Sequence, residues 1–427
     1  MTLSVSWYII QYMNKNYSDS ELIYRPRWIG QEVHSAVKTF PVIVISGARQ
    51  VGKSTFLQNE FPKFKYVSLD DFSLLHQAQV DPASLWIDTE HIIIDEAQKA
   101  PQLFSAIKLA VDRSHRKLRF ILSGSSNLLL MQRISETLAG RAVYFDMLPM
   151  AQGEMEGEAG LPENFNDLWK PGFTIKEQDL NMIDPMPFVL RGFMPPLMGL
   201  SSKDTLRWWG GYVKTYLERD VRELSQVDSL VDFRRVLEVL ALRTGNILNQ
   251  NGVARDTGVS QPTVHRYIKL MEISNILHRV YPFAANRTKR IVKAPKVFFV
   301  DPALSCFLAG LHDLDALRNS REAGGLFETL MYLHLTVLSE LTVPRVNIHY
   351  WRTTTGKEVD FVLEHGRKLL AVEVKLTKTP TSHDVKNLLA FIEEHPQTVR
   401  GVLVHAGKQV RWLHSKIVAV PWWWMGK

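Results

Sequence analysis

The sequence predicts an α/β protein in which a P-loop domain with a parallel sheet is followed by a winged helix and a second α/β domain. The first part of the chain alternates short apolar runs with helical patterns, which is typical of a parallel sheet covered by helices. A helix-turn-helix pattern lies near residue 260, and two strands that carry carboxylates lie near residue 365. Strands of the first domain are predicted at Val42–Ser46, Tyr66–Leu69, His91–Ile94, Arg119–Leu122 and Ala142–Phe145.

The first motif, GARQVGKS, follows the strand Val42–Ser46 and satisfies the phosphate-loop spacing G-x-x-x-x-G-K-[ST]. Glycines let the backbone wrap round a phosphate chain, and N–H groups of the loop and the next helix face the anion. Lys53 is expected to contact the β- and γ-phosphates, and Ser54 to hold Mg²⁺. The residues predicted to bind the nucleotide from this loop are Gly47, Ala48, Arg49, Gln50, Val51, Gly52, Lys53, Ser54 and Thr55.

The second motif, HIIIDEAQ, places two carboxylates at the end of an apolar strand. Asp95 suits the Mg²⁺ shell, usually through water, and Glu96 is placed to act as general base on the attacking water. The competing interpretation is that both residues begin a solvated loop. The agreement of the two motifs favours a hydrolytic site for ATP or GTP, and the lack of an N-K-x-D-like motif favours ATP.

The fourth strand runs into Ser123-Gly124-Ser125-Ser126. Ser123 and Ser125 are candidates to sense the γ-phosphate or orient water, because this strand tip is expected beside Asp95. Small polar residues are also common in any loop, so this assignment competes with an ordinary turn.

Bulk composition narrows the class of protein. The chain has 427 residues, a net charge of +7 and a single cysteine, Cys306, which fits a reducing cytosol and a cytoplasmic location. No apolar run approaches the length that spans a bilayer, so no membrane association is expected. The positive charge favours an acidic partner such as nucleic acid.

Two stretches differ sharply in charge. Between residues 153 and 184, eight acidic residues oppose two lysines, which predicts an exposed and mobile insertion or linker. Between residues 231 and 300, twelve Lys and Arg oppose four acids. The second stretch contains VARDTGVSQPTVHRYIKLME, in which Gly258 permits a tight turn and Ser260 can cap the next helix.

This helix-turn-helix pattern, with a basic wing after it, predicts a winged helix that binds DNA. The residues predicted to contact DNA are Arg266, Lys269, Arg287 and Lys289. The alternative is a rigid interdomain or oligomer module that never touches nucleic acid.

Near the C-terminus, Asp360 lies on one predicted strand, and Glu373 and Lys375 lie two apart on the next. Residues two apart on a strand share a face, so these groups can converge, with Glu328 from a preceding helix. Two carboxylates and a lysine can bind a divalent metal, with Asp360 and Glu373 as ligands, and promote phosphodiester attack. The alternative is a salt-bridged relic that keeps the fold without the chemistry.

With these motifs in one order, the chain resembles the prokaryotic AAA-type ATPases that carry a C-terminal domain of unknown function with a restriction-nuclease-like fold. The resemblance also rests on LSGSS, SETLAGR, YLERDV, LRTGNILN, KEVDFVL and AVEVK. It implies that Arg141 acts on a γ-phosphate in cis or from a neighbouring subunit of a homo-oligomer. Related nucleases carry a glutamine and a tyrosine on the next helix, where this chain has Lys386 and Ala390.

The resemblance implies five regions: an N-terminal helical segment (1–40), the P-loop ATPase core (41–150), an acidic insertion with helical lid or linker (151–230), the winged helix (231–310) and the nuclease-like domain (320–427). Two functions are consistent with this organisation. In the first, an ATPase that uses ATP and Mg²⁺ couples its nucleotide state to nucleic-acid binding or processing. In the second, a nucleotide-dependent switch binds protein partners, with the winged helix and an inactive tail as interaction modules.

Overall fold

The computed structural model describes residues 24–124, 137–158, 160–217, 229–284 and 293–427. Among these residues, no helix has the length and apolar character needed to cross a membrane.

In the described N-terminal part, five parallel strands form a sheet in the order β2-β3-β4-β1-β5. They are β1 (Val42–Ser46), β2 (Lys65–Ser68), β3 (His91–Asp95), β4 (Arg119–Ser123) and β5 (Ala142–Asp146). Each boundary lies within one residue of its prediction, because apolar runs in a doubly covered sheet end where the chain returns to solvent. The parallel arrangement brings the carboxyl ends of β1, β3 and β4 to one edge.

Helices cover both faces of this sheet and connect the units that follow. The helices of the described chain are α1 (Gly30–Thr39), α2 (Lys53–Glu60), α3 (Phe72–Val80), α4 (Leu103–Arg113), α5 (Gln152–Glu156), α6 (Glu163–Asp167), α7 (Met186–Arg191), α8 (Ser202–Tyr212), α9 (Leu230–Ala241), α10 (Gln250–Thr257), α11 (Gln261–Ile273), α12 (Pro302–Leu308), α13 (Leu314–Asn319), α14 (Ala323–Glu340) and α15 (Lys386–Glu394). On α4, Leu103, Phe104, Ile107 and Val111 form the buried face.

Most residues between 170 and 182 are exposed, as the charge predicted, but the acidic stretch is anchored to the rest of the chain. Its strand β6 (Gln178–Asp179) pairs with β13 (Gln409–His414) of the C-terminal sheet. The indole of Trp422 donates to the carbonyl of Ile183 at 2.8 Å, and Phe165 is buried. The number of acidic residues does not predict these contacts. The segment is anchored by the apolar and backbone groups that lie between the acids.

Helices α9, α10 and α11 are followed by an antiparallel pair, β7 (Leu277–Val280) and β8 (Lys296–Phe299), and we call this set the helical unit. Strand β7 ends at Val280 and does not extend to Phe283. Residues 282 and 283 instead run beside the C-terminal sheet, where the Phe283 N–H donates to the carbonyl of Tyr350.

The C-terminal unit is a mixed sheet in the order β6-β13-β14-β12-β11-β10-β9, counted over the described residues. Its remaining strands are β9 (Asn347–Arg352), β10 (Glu358–His365), β11 (Lys368–Lys375), β12 (Thr398–His405) and β14 (Ile417–Pro421). Strands β10 and β11 form an antiparallel hairpin, as the sequence predicted. One buried apolar cluster runs through all the units, with members such as Ile43, Phe298 and Trp422, so the units are packed against one another.

Candidate functional site

The loop after β1 has the conformation that its glycines permit. Gly47 has φ 148° and Gly52 has φ 91°, values at which side chains are strained. A β-carbon on Gly47 would lie 2.2 Å from the carbonyl oxygen of Met147, so the close approach of β5 also requires glycine. Gly52 then precedes α2, whose first N–H groups open toward the loop.

Lys53, the first residue of α2, points back into the loop. Its Nζ donates to the carbonyl oxygens of Gly47, at 3.0 Å, and Ala48, at 2.9 Å. Burial lowers the pKa of Lys53 to about 8, against the opposing effect of the Glu96 and Asp95 carboxylates. An incoming phosphate would offer this ammonium full negative charge in place of two carbonyl dipoles.

Asp95, at the end of β3, connects β2 and β4 with the phosphate loop. Its Oδ2 accepts hydrogen bonds from the hydroxyls of Ser54, at 2.5 Å, and Tyr66, at 2.6 Å. Its Oδ1 accepts from the hydroxyl of Ser123. The structure therefore brings together Ser54, Asp95 and Ser123, whereas Ser125 lies outside the described residues.

Glu96 follows Asp95 in the left-handed region, with φ 56°. A glutamate in this conformation costs roughly 1 kcal/mol or more, and such strain is concentrated at functional sites. Its carboxylate accepts from the Gln98 side chain. The turn directs Glu96 away from the strand, in electrostatic contact with Lys53.

Arg141 lies at the amino-terminal end of the parallel strands, opposite the end that carries the nucleotide site of the same chain. Its carbonyl accepts from the N–H of Val42, at the start of β1, whereas the phosphate loop follows the other end of that strand. The length of a five-residue strand separates the two edges by about 15 Å. The guanidinium is held by both carboxylate oxygens of Asp112, at 2.8 and 2.9 Å. The cis role that the resemblance implied is therefore wrong for this arrangement.

Two residues near the loop were missed by sequence reasoning. Tyr66, on edge strand β2, reaches Asp95 as described above, and an aromatic hydroxyl on the strand next to the acidic one was the available signal. Arg27 is buried beneath the loop, where Nη1 donates to the carbonyl of Val51 at 3.0 Å and Nε contacts Glu154 at 3.2 Å. No pattern in the sequence links Arg27 to a loop more than twenty residues away.

The predicted DNA-contacting residues fall into two sets. Arg266 and Lys269 are exposed on α11, the second helix of the helix-turn-helix pattern. That helix begins as expected, since the side chain of Ser260 accepts from the N–H of Thr263. Arg287 and Lys289 lie outside the described residues.

In the C-terminal unit, the strand register pairs Phe361 with Val372, which puts Asp360 opposite Glu373 on one face of the hairpin. Oδ2 of Asp360 accepts from the N–H of Val374 at 2.8 Å, and Lys375 contacts Glu373 at 2.7 Å. The predicted carboxylates and lysine are thus neighbours.

A lysine that sequence reasoning did not consider lies among these carboxylates. Nζ of Lys296, on β8, is 2.6 Å from Oε1 of Glu358 and 3.3 Å from Oε2 of Glu328. Oδ1 of Asp360 is 3.5 Å away. We call Lys296, Glu328, Glu358, Asp360, Glu373 and Lys375 the acidic cluster.

Burial shapes the protonation of this cluster. It lowers the pKa of Lys296, but the surrounding carboxylates, Glu328 first, more than offset that effect and leave it raised. Burial raises the pKa of Glu328 and of Glu373, and the charge of Asp360 adds to both increases. The carboxyls of Glu328 and Glu373 are therefore held closer to the neutral form than in water.

The two predicted ligands of the second metal site, Asp360 and Glu373, lie opposite each other on the hairpin, with Lys296 3.5 Å from Asp360. Within the described ranges, no group of three or more His, Cys, Asp or Glu side chains is placed to hold a metal ion. The ammonium of Lys296 lies within 3.5 Å of both Glu328 and Asp360.

Comparison with known protein families divides the chain into three matched regions. Residues 39–156 match an AAA domain, residues 186–315 match a domain of unknown function, DUF8612, and residues 323–425 match a domain of unknown function, DUF4143. The chain therefore carries an AAA-type ATPase domain, which supports ATP binding and hydrolysis, and a C-terminal DUF4143 domain.

Similar proteins are found in bacteria and archaea. Uncharacterized proteins of Mycobacterium tuberculosis and Mycobacterium bovis are each 28% identical over 390 residues, which cover 90% of this chain and 81% of the relative. An uncharacterized protein of Methanocaldococcus jannaschii is 21% identical over 387 residues, covering 86% and 82%. A solved structure of a Walker-type ATPase from Pyrococcus abyssi is 16% identical with a TM-score of 0.42, covering 67% of this chain and 99% of its own.

Proposed function

We propose that this chain is a Mg²⁺-dependent ATPase that couples its nucleotide state to the binding of duplex DNA. The observation that carries the ATPase part is the junction at Asp95, whose Oδ2 meets the hydroxyl of Ser54 at 2.5 Å. Carboxylate and hydroxyl oxygens are the hard ligands that Mg²⁺ prefers, so Ser54 and Asp95 would hold the ion. When bound, Mg²⁺ supplies positive charge that stabilises the phosphates.

The protein's own groups then have separate tasks. Lys53 exchanges its two loop carbonyls for phosphate oxygens and fixes the end of the nucleotide chain. Glu96 accepts the proton of the attacking water, since its strained turn holds the carboxylate beyond the strand end. Ser123 keeps Asp95 oriented through its hydrogen bond to Oδ1.

A short segment between the loop and the helical unit supports the coupling. The carbonyl of Phe193 accepts from the N–H of Met150 at 2.9 Å, and its own N–H donates to Oδ2 of Asp301 at 2.7 Å. A β-carbon on Gly52 would lie 3.5 Å from Cγ of Pro195, two residues after Phe193. This segment would therefore carry a change at Gly52 toward Asp301, which is fully buried at the start of α12.

The DNA part of the proposal rests on the helix-turn-helix geometry and its charge. A capped α11 carries exposed Arg266 and Lys269, and a two-stranded pair follows, as in a winged helix. Basic side chains bind mainly the phosphates of DNA, so the affinity for DNA should fall steeply as the salt concentration rises.

A second candidate function is a nucleotide-dependent switch for protein partners, with the C-terminal unit as an inactive module. It is favoured by Lys296, whose ammonium sits within the acidic cluster. In that case ATP state would alter protein contacts, and DNA would have no effect on turnover.

ATP turnover measured with and without duplex DNA tests the proposal. We expect DNA to stimulate the wild type, and Arg266→Glu/Lys269→Glu to remove the stimulation. The matched control is Lys203→Glu/Arg207→Glu, which changes two charges on α8, outside the helical unit. Equal turnover with and without DNA at low salt would favour the protein switch.

A further inference from the structure

Contacts between the helical unit and the C-terminal sheet hold Lys296 among the carboxylates of the acidic cluster. The hydroxyl of Tyr350, on β9, donates to the carbonyl of Ala294 at 2.6 Å and so holds the segment that leads into β8. The same ring lies 5.8 Å from Nζ of Lys296. These contacts therefore fix the position of the Lys296 side chain, which is 3% exposed.

A second contact holds the two units together beside the lysine. The hydroxyls of Thr244 and Thr329 are 2.8 Å apart, and a β-carbon on Gly325 would lie 2.5 Å from the Thr244 carbonyl. A β-carbon on Gly245 would likewise lie 3.1 Å from the α-carbon of Gly325. These small residues explain part of the LRTGNILN motif, because they let the helical unit approach α14 closely enough for Lys296 to reach Glu328.

The ammonium of Lys296 opposes a second cation at its own position. Among the described residues, the cluster has four acidic side chains, Glu328, Glu358, Asp360 and Glu373, and two cations, Lys296 and Lys375, while Arg352 outside the cluster contacts Glu358 at 3.5 Å. A divalent ion near Asp360 would lie within a few ångströms of the ammonium in a poorly solvated site, where like charges repel strongly. Without the ammonium, the same carboxylates would be buried and short of positive charge.

One acceptor of the cluster is left over. Within the described residues, Oε2 of Glu373 is buried and has no hydrogen-bond partner. Its other oxygen is held by Lys375 at 2.7 Å. This oxygen is the acceptor that a cation would use once the Lys296 ammonium is removed.

We infer that the acidic cluster is a lysine-binding site: Lys296 of the helical unit is its resident cation, clamps the two units together and excludes divalent metal. The cluster keeps the carboxylates of a metal site but uses them as an interdomain clamp. Metal-dependent cleavage of a phosphodiester by this unit is therefore excluded while the two units are docked. Removing the ammonium should expose a metal site.

Manganese binding to the nucleotide-free full-length protein, followed by the electron paramagnetic resonance of free Mn²⁺, tests this inference. The wild-type protein and the Asp360→Asn variant should give the same Mn²⁺ titration. Lys296→Met should gain a site with a dissociation constant lower by about tenfold or more, equivalent to at least about 1.4 kcal/mol. Adding Asp360→Asn to Lys296→Met should remove that site, and exposed Lys293→Met should behave as wild type.

Two results would overturn the inference. One is wild-type protein that binds Mn²⁺ and loses the ion on Asp360→Asn, since the lysine would then not exclude metal. The other is Lys296→Met with an unchanged titration. If Lys296→Met fails to fold, Lys296→Met/Glu328→Gln removes one buried charge of each sign and should show the same gain. The comparison of wild type with Asp360→Asn tests the exclusion of metal whether or not either Lys296 variant folds.

Discussion

The hydroxyl of Ser54 donates a 2.5 Å hydrogen bond to the carboxylate of Asp95, which joins two motifs that lie 41 residues apart in the sequence. The bond forms because β1 and β3 are parallel and end at the same edge of the sheet, with β4 between them. Everything proposed for nucleotide chemistry depends on this junction.

Binding and hydrolysis should separate at Lys53 and Glu96. Lys53→Ala should lose ATP binding, because the loop then lacks its phosphate-facing charge. Glu96→Gln should bind ATP normally and lower turnover by about 10²-fold or more, the usual contribution of a general base. Equilibrium binding of a fluorescent ATP analogue and a phosphate-release assay measure the two effects. Turnover of Glu96→Gln at the wild-type rate would mean that another group takes the proton.

Tyr66 should act as a positioning residue for Asp95. Tyr66→Phe removes one donor to Oδ2, and the loss of a hydrogen bond to a charged group weakens Mg²⁺-supported ATP binding by about tenfold. ATP binding in EDTA should change less, because the hydroxyl of Tyr66 donates to Asp95, whose role in nucleotide binding requires Mg²⁺. The control is Tyr144→Phe on β5, a partly exposed tyrosine. Equal losses with and without Mg²⁺ would indicate a general loss of stability instead.

Arg141 is expected to act only across a subunit boundary. Arg141→Ala should bind ATP but hydrolyse it slowly, and mixing it with Lys53→Ala should restore activity in mixed assemblies. The rescue follows because one variant would supply an intact loop and the other an intact arginine. Unchanged turnover by Arg141→Ala would leave the ion pair with Asp112 as a surface contact.

His334 should make stability depend on pH. Its Nε2 accepts from the N–H of Gln152 at 3.0 Å and its Nδ1 lies 2.9 Å from the carbonyl of Leu330, so the neutral ring satisfies both partners. Burial lowers the pKa of His334 from its ordinary 6.5 to about 4. A histidine with a depressed folded pKa stabilises the protein fully above about 6.5, and this contribution is lost as the pH falls toward 4.

The free energy of unfolding should therefore fall by about 2 kcal/mol between pH 7 and pH 5 through this group alone. His334→Gln should be less stable at pH 7 and show a shallower decline on acidification. Urea unfolding at the two pH values measures the difference, with exposed His312→Gln as the control. Parallel pH profiles for wild type and His334→Gln would contradict the assignment.

Much of the ATPase core could be predicted from the sequence because its determinants are local. The loop spacing from Gly47 to Ser54, the apolar strand before Asp95 and the cap at Ser260 each depend on a few adjacent residues. Local chemistry decides them: glycine φ angles, the two-sided burial of a parallel strand, and a side-chain oxygen that accepts at a helix start.

What only the tertiary structure decided are the contacts between distant segments. The end of the sheet at which Arg141 lies depends on the parallel pairing of β5 with β1, and the anchoring of the acidic stretch depends on pairing with a strand more than two hundred residues away. In the sequence, Lys296 is one of twelve basic residues between positions 231 and 300. Only the packing of the units shows that its ammonium contacts Glu358. The reason is physical: electrostatic and backbone partners are chosen by proximity after folding, and sequence spacing carries that information only within one helix or one hairpin.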